Sequence, residues 1–573
     1  MAGTDANKKP LPVDKSLFDR VIEDGCYYVD KTLFIKDLID MRAEAVLCTR
    51  PRRFGKTLNQ TMLKCFFEDT ARIGGKDTRA LFRGLKIEEA GERYMEYQGK
   101  YPVIYLTFKD AEGESFDETC RMFKKMLSAE FRRHGYIKEK ISDAVDLNLF
   151  ESLSSGDTDI LSYRDSIKFL SKCLEHYHGK KAVVLIDEYD VPLQKSWVCQ
   201  YYKDMIAFIR PLLGSALKDN PHLQLAVMIG CLRISKESIF TGLNNLKVVS
   251  ILSDSYSEHF GFTQIEVDAM LKHYGLESKT QILKDWYNGY LFGNTEVYNP
   301  LSTVRVVEAW TQNIKRNPEP YWSNTSGNDI VRRLVDIANA EMKTDLETLM
   351  AAKTISKPIH EDITYEEIGD GNDKDPDNFW NFLFFTGYLK KVGDGQQNED
   401  GELTLNLSIP NIELRYVYKT KIHDWFKEKV SRKDFGPLYT ALLDGDAETV
   451  QKELGSFLVE TISYMDAKEA FYHGVLLGVL AGMCNFTAKS NRETGLGRSD
   501  IVLRHTSGRG KAVILELKYT HDMREIVNLS EEAVKQIEDG KYAEELETEC
   551  YTDIVKYGIA FCKKSCEVRR GNK

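Results

Sequence analysis

Residues 45–57 read AVLCTRPRRFGKT, and this stretch is the strongest indication of the fold in the N-terminal part of the chain. An apolar run (45–49) leads into a basic turn that contains glycine, and the helix-like stretch LNQTMLKCFFE follows from Leu58. Where a strand turns into a helix, backbone N–H groups and the helix N-terminus face a bound anion. The pattern therefore predicts a phosphate-binding loop between a buried strand and a helix.

The turn matches the end of the nucleotide-binding pattern GxxxxGK[ST] at Gly55, Lys56 and Thr57, whereas Arg50 replaces its first glycine. We expect Lys56 to reach the β- and γ-phosphates of ATP and the Thr57 hydroxyl to bind Mg²⁺. A GKT turn by itself is equally typical of a basic turn before a surface helix.

A second motif favours the nucleotide site. VVLIDEYD (183–190) is an apolar strand that ends in adjacent carboxylates. We expect Asp187 to hold the Mg²⁺ shell and Glu188 to orient or deprotonate the attacking water. The alternative is a strand followed by a solvated acidic turn.

Nearby arginines are further candidates for phosphate contacts. Arg50, Arg52 and Arg53 form a basic cluster that could bind the phosphates of ATP or of a partner, and we expect ATP. Arg233, which follows the strand LQLAVMIG (223–230), is a candidate sensor of the γ-phosphate. An arginine after a strand is most often a surface salt-bridge residue.

Short apolar runs between long helical stretches are typical of a buried parallel sheet, so we predict an α/β protein. The runs are residues 45–49, 103–108, 182–187, 223–229 and 248–252. The strand signal fades after about residue 263, where a mainly helical region is interrupted by polar loops at 369–377 and 393–401. The second loop is interpreted as a hairpin turn before a strand at 403–409. From about residue 435 we expect a helix, two strands, another helix and a final strand at 553–562.

A second constellation lies near the C-terminus. Asp500 starts a strand in GRSDIVL (497–503), and Glu516 and Lys518 share one face of the strand AVILELK (512–518), because side chains alternate along a strand. The carboxylates would hold Mg²⁺ or Mn²⁺, hard ions that prefer oxygen ligands. The metal would activate a bound water while Lys518 positions the nucleophile. The arrangement predicts metal-assisted phosphodiester hydrolysis, although an isolated ExK is usually structural.

Residues around this constellation add to the prediction. Glu469 and His473 are four apart, so they fall on one helical face and could approach the metal. We also expect a backbone-phosphate contact from Arg492 and Arg498, and a flanking helix that carries Gln536 and Tyr542.

Ordered motifs over nearly the whole chain, from about residue 11 to 561, make it resemble the predicted AAA-ATPase-like family. They are VDKTLFIKDLI (29–39), RPRRFGKT (50–57), LIDEYDVPL (185–193), RISKESIFTGLNNL (233–246), WYNGYLFG (286–293) and VYNPLS (297–302). Members of the family usually join a P-loop ATPase to a C-terminal nuclease-like domain of the PD-(D/E)XK superfamily. Their loop commonly has arginine in place of the first glycine, as Arg50 does here.

The resemblance implies a domain type for each of the four regions into which the sequence divides. They are a segment packing on the ATPase (1–44), a P-loop AAA-ATPase-like domain (45–262), a mainly helical lid or linker (263–434) and a restriction-endonuclease-like PD-(D/E)XK domain (435–573). It also implies that Glu469, Asp500, Glu516 and Lys518 match the nuclease motif. The implied cofactors are ATP and Mg²⁺, with Mn²⁺ as an alternative at the second site.

Composition limits the partners and the compartment. The 573 residues carry a net charge of -10, so a bulk basic surface for nucleic acid is absent and such binding needs local patches. The eleven cysteines include no CxxC pair, which fits a reducing cytosol. The N-terminus has no apolar signal region, and no apolar run reaches the roughly 20 residues of a membrane helix. A cytoplasmic protein without membrane contact is expected, and homo-oligomer formation is left open.

The leading hypothesis is an ATP-binding, ATP-hydrolysing protein fused to a Mg²⁺-dependent nuclease-like domain that acts on DNA or RNA. The γ-phosphate would shift the helical middle region and so change access to Asp500 and its neighbours. One alternative is a nucleotide-switched interaction protein whose nuclease-like domain recognises a partner or nucleic acid without cutting. Another is an ATPase motor acting on protein or nucleic acid.

Overall fold

The computed structural model describes most of the chain. The described residues are 8–233, 239–240, 245–324, 340–361, 377–420, 434–460, 469–490, 500–540 and 542–572. The chain divides into two compact units, the first formed by 1–325 and 354–416 and the second by 326–353 and 417–573. The predicted boundaries at 44, 262 and 434 stay a prediction.

The first unit is built on a fully parallel five-stranded sheet with the order β2-β3-β4-β1-β5. Its strands are β1 (Ala45–Thr49), β2 (Val103–Thr107), β3 (Ala182–Asp187), β4 (Leu223–Gly230) and β5 (Leu246–Val249). Every residue of β1 and β3 is buried, as near-continuous apolar strands require when helices cover both faces of a sheet. The predicted α/β class is confirmed.

Helices connect these strands and continue into the middle of the chain. They are α1 (Phe18–Glu23), α2 (Leu33–Met41), α3 (Lys56–Phe67), α4 (Thr70–Ile73), α5 (Lys86–Glu89), α6 (Glu92–Met95), α7 (Phe116–Arg133), α8 (Ala144–Ser155), α9 (Ser166–His178), α10 (Val191–Val198), α11 (Tyr202–Leu217), α12 (Gln264–Tyr274), α13 (Thr280–Tyr287) and α14 (Pro300–Gln312). The N-terminal segment contacts α3, where the backbone N–H of Phe18 donates to the Thr61 hydroxyl at 3.0 Å.

The middle region is mainly helical, as expected, but it also contains small antiparallel sheets. Strands β6 (Tyr290–Phe292) and β7 (Thr295–Val297) form a hairpin, and a second sheet combines β8 (Ile355–Ile359), β9 (Lys390–Lys391), β10 (Gln396–Gln397) and β11 (Leu403–Ser408). The predicted turn before β11 is present, since β10 pairs with β11. Helices α15 (Ala340–Met350) and α16 (Asp377–Phe385) and a helix over 412–420 complete the described part. The predicted loop at 369–377 lies almost wholly outside the described residues.

The second unit contains a mixed five-stranded sheet with helices on both faces. Its strands, in the order in which they pair, are β12 (Phe486–Ser490), β13 (Ile501–His505), β14 (Gly510–Tyr519), β15 (Tyr551–Cys562) and β16 (Ser565–Arg570). Only the central pair β14–β15 is parallel. The helices are α17 (Gly436–Asp444), α18 (Ala447–Glu460), α19 (Glu469–Leu480), α20 (Ile526–Asp539) and α21 (Tyr542–Thr548). The three central strands were predicted from the sequence, whereas both edge strands were not.

Over the ranges given above, the structure contains no helix that is both long and apolar enough to cross a membrane.

Candidate nucleotide and metal sites

The turn after β1 has the backbone shape of an anion cradle. Arg53 and Gly55 adopt left-handed conformations with φ of 70° and 78°, and α3 begins at Lys56 directly after the glycine. Successive N–H groups in such a turn point into one concave site, and the helix N-terminus adds its positive partial charge. Gly55 suits this position because a residue without a Cβ adopts positive φ at little cost. The loop can therefore hold a phosphate chain.

Lys56 is buried at the head of α3, where its ammonium group is held by the protein itself. Its Nζ donates to the backbone oxygen of Arg50 at 3.0 Å and lies 2.8 Å from the Sγ of Cys231. Cys231 follows directly after β4, the neighbour of β1 in the sheet. The lysine is thus held above the turn in which the phosphates would lie.

Thr57 and Asp187, the two residues predicted to bind Mg²⁺, contact each other at the edge of the sheet. The Thr57 hydroxyl donates to Oδ2 of Asp187 at 2.7 Å, although the residues are 130 positions apart. Oδ1 of Asp187 is buried and has no hydrogen-bond partner among the described residues. Burial raises the pKa of Asp187 to about 6, and the Glu188 carboxylate adds to this effect. A hydroxyl beside an unsatisfied carboxylate oxygen fits a hard divalent ion such as Mg²⁺.

The strand order explains this meeting. β4 lies between β3 and β1, with Asp187 level with Ile229 and Thr49 level with Gly230. Parallel strands end at one edge of the sheet, so the residues that leave β3 and β1 converge there. Ligand sites of open parallel sheets lie at this carboxyl edge.

Glu188 lies beside the loop in a cavity of about 210 Å³. The cavity is also lined by Arg53, Lys56 and Thr57 and by Tyr28 of the N-terminal segment. Glu188 has a positive φ of 53°, which is uncommon for a non-glycine residue and common at functional sites. Glu188 from the second motif therefore lines the same cavity as the loop residues of the first.

Arg50 is placed differently from the expectation. Arg50 is fully buried and donates to the backbone oxygens of Thr49, Val249 and Ser255 at 2.9, 3.0 and 3.2 Å. Burial lowers its pKa to about 10. Its guanidinium also lies 5.2 Å from the ring centroids of Phe260 and Phe292. The expectation that Arg50 binds phosphate is corrected, because its donors hold the loop to the protein interior.

Arg52 and Arg233 also contact protein groups. Arg52 donates to the Gln194 side chain at 2.6 Å, and Arg233 forms a 3.3 Å ion pair with Glu361. Arg233 is not among the residues that line the cavity in the described part of the chain. Its role as a γ-phosphate sensor stays a prediction.

Asp190 and Cys231 contribute contacts at this site that were not predicted from the sequence. Oδ2 of Asp190 accepts from the backbone N–H groups of Cys231 and Leu232 at 2.8 and 3.1 Å, which holds the segment after β4 against the loop after β3. The third acidic residue of IDEYD was the only available signal for this contact. No sequence signal connects Cys231 to Lys56.

In the second unit, Asp500 and Glu516 come together as predicted. Oδ2 of Asp500 accepts from the backbone N–H of Leu517 at 2.9 Å, and the N–H of Asp500 donates to Oε2 of Glu516 at 3.3 Å. Burial raises the pKa of Glu516 to about 7, and the charge of Asp500 adds to this effect. Adjacent carboxylates, of which Glu516 is buried and Asp500 half-buried, match the oxygen ligands that Mg²⁺ and Mn²⁺ prefer.

Lys518 lies on the same strand face as Glu516, as the alternation predicts. Its Nζ is 3.6 Å from Oε1 of Glu516 and donates to Oε1 of Gln536 on α20 at 2.5 Å. The close approach of α20 to the sheet depends on Gly558, since a Cβ there would overlap the backbone oxygen of Ser530. The helix thereby brings Gln536 within reach of the lysine.

The other predicted residues of this site are only partly described. Nε2 of His473 lies 3.1 Å from the backbone oxygen of Asp500, so α19 packs against the site. Glu469 is on α19, but its side chain lies outside the described residues. The same holds for the side chain of Tyr542, and Arg492 and Arg498 lie entirely outside the description. The ligand role of Glu469 therefore stays a prediction.

Comparison with known proteins gives matches to both regions. Residues 12–240 match the family model described as Predicted AAA-ATPase, and residues 467–570 match that of the PD-(D/E)XK nuclease superfamily. The chain is also 25% identical over 562 residues to a protein of Azotobacter chroococcum mcd 1 described as an uncharacterized protein in the vnfD 5′ region. That alignment covers 94% of each chain.

Proposed function

For a chain that joins an AAA-ATPase-like domain to a PD-(D/E)XK nuclease superfamily domain, we propose a protein that binds and hydrolyses ATP and cleaves nucleic acid in a metal-dependent reaction. The observation that carries the first half is the Thr57–Asp187 hydrogen bond beside the unsatisfied Oδ1 of Asp187. The second half is supported by the grouping of Asp500, Glu516 and Lys518.

In the proposed ATPase site, the N–H groups of the Arg53–Gly55 turn bind the phosphate chain. Lys56 leaves Cys231 and pairs with the β- and γ-phosphates. Thr57 and Asp187 hold Mg²⁺, which offsets the negative charge that develops during phosphoryl transfer. Glu188 orients the attacking water from the wall of the same cavity.

Three substitutions test the ATPase half. Lys56→Ala and Asp187→Asn should abolish or strongly weaken ATP binding, measured by calorimetry, because they remove the phosphate cation and a metal ligand. Glu188→Gln should retain binding and lose turnover in a phosphate-release assay. Arg52→Ala, in the same loop but paired with Gln194, is the matched control. Equal ATP binding by wild type and Lys56→Ala would contradict the proposal.

In the proposed nuclease site, the carboxylates of Asp500, Glu516 and, by the family motif, Glu469 hold the divalent ion. A bound divalent ion activates water and neutralises charge on the phosphate. Lys518, held by Gln536, positions the nucleophile.

Cleavage of plasmid DNA and of RNA with Mg²⁺ or Mn²⁺ tests this half. Wild type should cut, whereas Lys518→Ala and Asp500→Ala should not. Lys511→Ala is the control, because Lys511 lies on the same strand but donates to the backbone oxygen of Leu443 and pairs with Asp553. This variant should behave as wild type. We further propose that bound nucleotide changes the rate of cleavage. Running each reaction with ATP, with ADP and without nucleotide tests this coupling, and identical rates in all three would contradict it.

A nucleotide-switched binding protein is the second candidate. The net charge of -10 disfavours broad contact with nucleic acid. This candidate predicts ATP-dependent partner binding without cleavage in either metal.

A further inference from the structure

The contact between Lys56 and Cys231 places an amine against a thiol in the first unit. The ammonium group of Lys56 donates to the Sγ of Cys231 at 2.8 Å. Sulfur is a weak hydrogen-bond acceptor, so this contact by itself does little to hold the two side chains together. Their close approach is set by the chain on either side.

On the lysine side, the amine is fixed by the backbone and by helix packing. Lys56 is 5% exposed, and its Nζ also donates to the backbone oxygen of Arg50 at 3.0 Å. One turn further along α3, the side chain of Gln60 donates to the backbone oxygens of Ile186 and Val227 at 3.1 and 2.9 Å. These bonds tie the start of α3 to β3 and β4, and so keep the amine beside the end of β4.

On the cysteine side, the backbone is fixed by the segment that follows β3. Oδ2 of Asp190 accepts from the N–H groups of Cys231 and Leu232 at 2.8 and 3.1 Å. The hydroxyl of Tyr189 donates to the backbone oxygen of Leu232. The amine and the sulfur are therefore both held in place by contacts other than the one between them.

The sulfur is open to a small reagent. Cys231 is half-buried, whereas Lys56 is buried. Burial raises the pKa of the Cys231 thiol, and the positive charges of Lys56 and Arg52 oppose this effect. The thiolate is the form that reacts with peroxides, so these two cations favour oxidation of this sulfur.

Oxidation would give the sulfur a group that the amine can displace. A peroxide converts a thiol to a sulfenic acid and is itself reduced to water or an alcohol, and a sulfenic acid condenses with a nearby nitrogen to a sulfenamide. The Lys56 ammonium first loses a proton to solvent, and its nitrogen then forms a bond to the sulfur. The S–O bond breaks, and the hydroxide that leaves takes a second proton from the nitrogen as water.

We propose that Lys56 and Cys231 form a reversible sulfenamide cross-link when a peroxide oxidises the thiol. The cross-link removes the positive charge of the lysine and ties its nitrogen to the end of β4. A thiol reductant attacks the sulfur and releases the amine, and a second reductant thiol restores Cys231 and leaves the reductant as a disulfide. The structure thus assigns a covalent modification site to the head of α3.

The consequence for ATP rests on the proposed nucleotide function, whereas formation of the cross-link does not. A tethered, uncharged Lys56 cannot pair with the β- and γ-phosphates, so the cross-linked protein should bind ATP weakly. Bound ATP should in turn draw the lysine away from the sulfur and prevent the cross-link. Oxidation and nucleotide binding should therefore exclude each other.

Peptide mass spectrometry of the full-length protein tests the cross-link itself. The protein is treated with hydrogen peroxide, alkylated and digested with trypsin without reductant. Residues 54–64 and 219–233 should appear as one joined peptide, because trypsin does not cleave after a modified Lys56. Its mass should be the sum of the two peptides less the hydrogens lost in the condensation, and dithiothreitol should separate them. Cys231 found only as sulfinic acid, or only in a disulfide, would overturn the proposal.

Calorimetry on the same samples tests the exclusion. Peroxide should weaken ATP binding by wild type about tenfold or more, and dithiothreitol should restore it. Cys231→Ser should keep its affinity through the treatment. Cys199→Ser is the matched control and should lose affinity like wild type, since Cys199 is also half-buried but its thiol donates to Glu114 at 3.4 Å. Equal amounts of joined peptide with and without ATP during oxidation would contradict the exclusion.

The two readouts separate this inference from the proposed function. If untreated wild type binds ATP and peroxide yields no joined peptide, only the cross-link is wrong. If the joined peptide forms but untreated wild type binds no ATP, the cross-link stands and the nucleotide proposal fails.

Discussion

The Nζ of Lys56 lies 2.8 Å from the Sγ of Cys231, 175 positions away in the sequence. The lysine that would bind the phosphates of ATP is therefore held by a thiol at the end of β4. The backbone N–H of Cys231 is in turn held by Asp190. Chemical modification of Cys231 should consequently change the binding of ATP at the proposed nucleotide site.

Alkylation of Cys231 should weaken ATP binding by about tenfold or more, because the added group would occupy the space between Lys56 and the phosphates. Cys231→Ser should bind ATP nearly as well as wild type and should resist the reagent. Cys484→Ser, which changes an exposed cysteine elsewhere, should remain sensitive. Calorimetry combined with mass spectrometry of the modified site measures the effect. Unchanged affinity after complete modification of Cys231 would contradict it.

Replacement of Arg50 should destabilise the first unit. Arg50→Ala removes the donor shared by Thr49, Val249 and Ser255 and should cost about 1–3 kcal/mol for unsatisfied buried acceptors. Arg50→Lys should recover only part of this, since an ammonium group lacks the planar fork of donors. Chemical denaturation followed by fluorescence measures the free energy of unfolding. Arg52→Ala should change it little, and an equal loss there would argue against a special role for Arg50.

Glu413 should make stability depend on pH. Its carboxylate is fully buried and accepts from the Ser302 hydroxyl at 2.9 Å and the backbone N–H of Trp322 at 2.8 Å. Burial raises its pKa from 4.5 to about 7. Between these values the folded protein binds more protons than the unfolded chain, so this group's contribution is present at low pH and is lost as pH rises towards 7.

Glu413→Gln should therefore raise the free energy of unfolding more at about pH 8 than at about pH 5, by roughly 2–3 kcal/mol. Denaturant titrations of both proteins at the two pH values give this difference. Glu399→Gln, at an exposed position, should show no such dependence. A stability gain independent of pH would show that Glu413 is not the titrating group.

Gln536 should act through Lys518. Gln536→Ala removes the acceptor that holds the lysine and should lower the kcat of nucleic acid cleavage by roughly 10–100-fold, with a smaller effect on KM. Lys535→Ala, the exposed neighbour on α20, should leave kcat unchanged. A change in KM alone would indicate that Gln536 contributes to substrate binding instead.

The sequence predicted the elements whose signal is local. The strands β1 and β3 are buried throughout because helices cover both sheet faces, and their nearly continuous apolar runs are visible in the sequence. The edge strands β12 and β16 read FTAKS and SCEVRR, which mix polar and apolar residues as exposed edges do. They were missed for that reason.

The direction of a side chain was harder to predict than its position. Arg50 belongs to a basic cluster in the sequence, yet its guanidinium turns into the interior, where its terminal nitrogens donate to the backbone oxygens of Val249 and Ser255. Those acceptors are about two hundred residues away, so no local pattern announces them. Burial of a charge depends on partners that only folding supplies.

Local sequence was sufficient to predict the parallel-sheet α/β class, the turn at Gly55–Thr57 between a strand and a helix, and the face shared by Glu516 and Lys518, because each depends on residues within a few positions of one another. The contacts of Asp187 with Thr57, of Cys231 with Lys56 and of Gln536 with Lys518 became visible only in the folded chain. These contacts depend on strand order and helix packing, which arise when distant segments bury their apolar surfaces together.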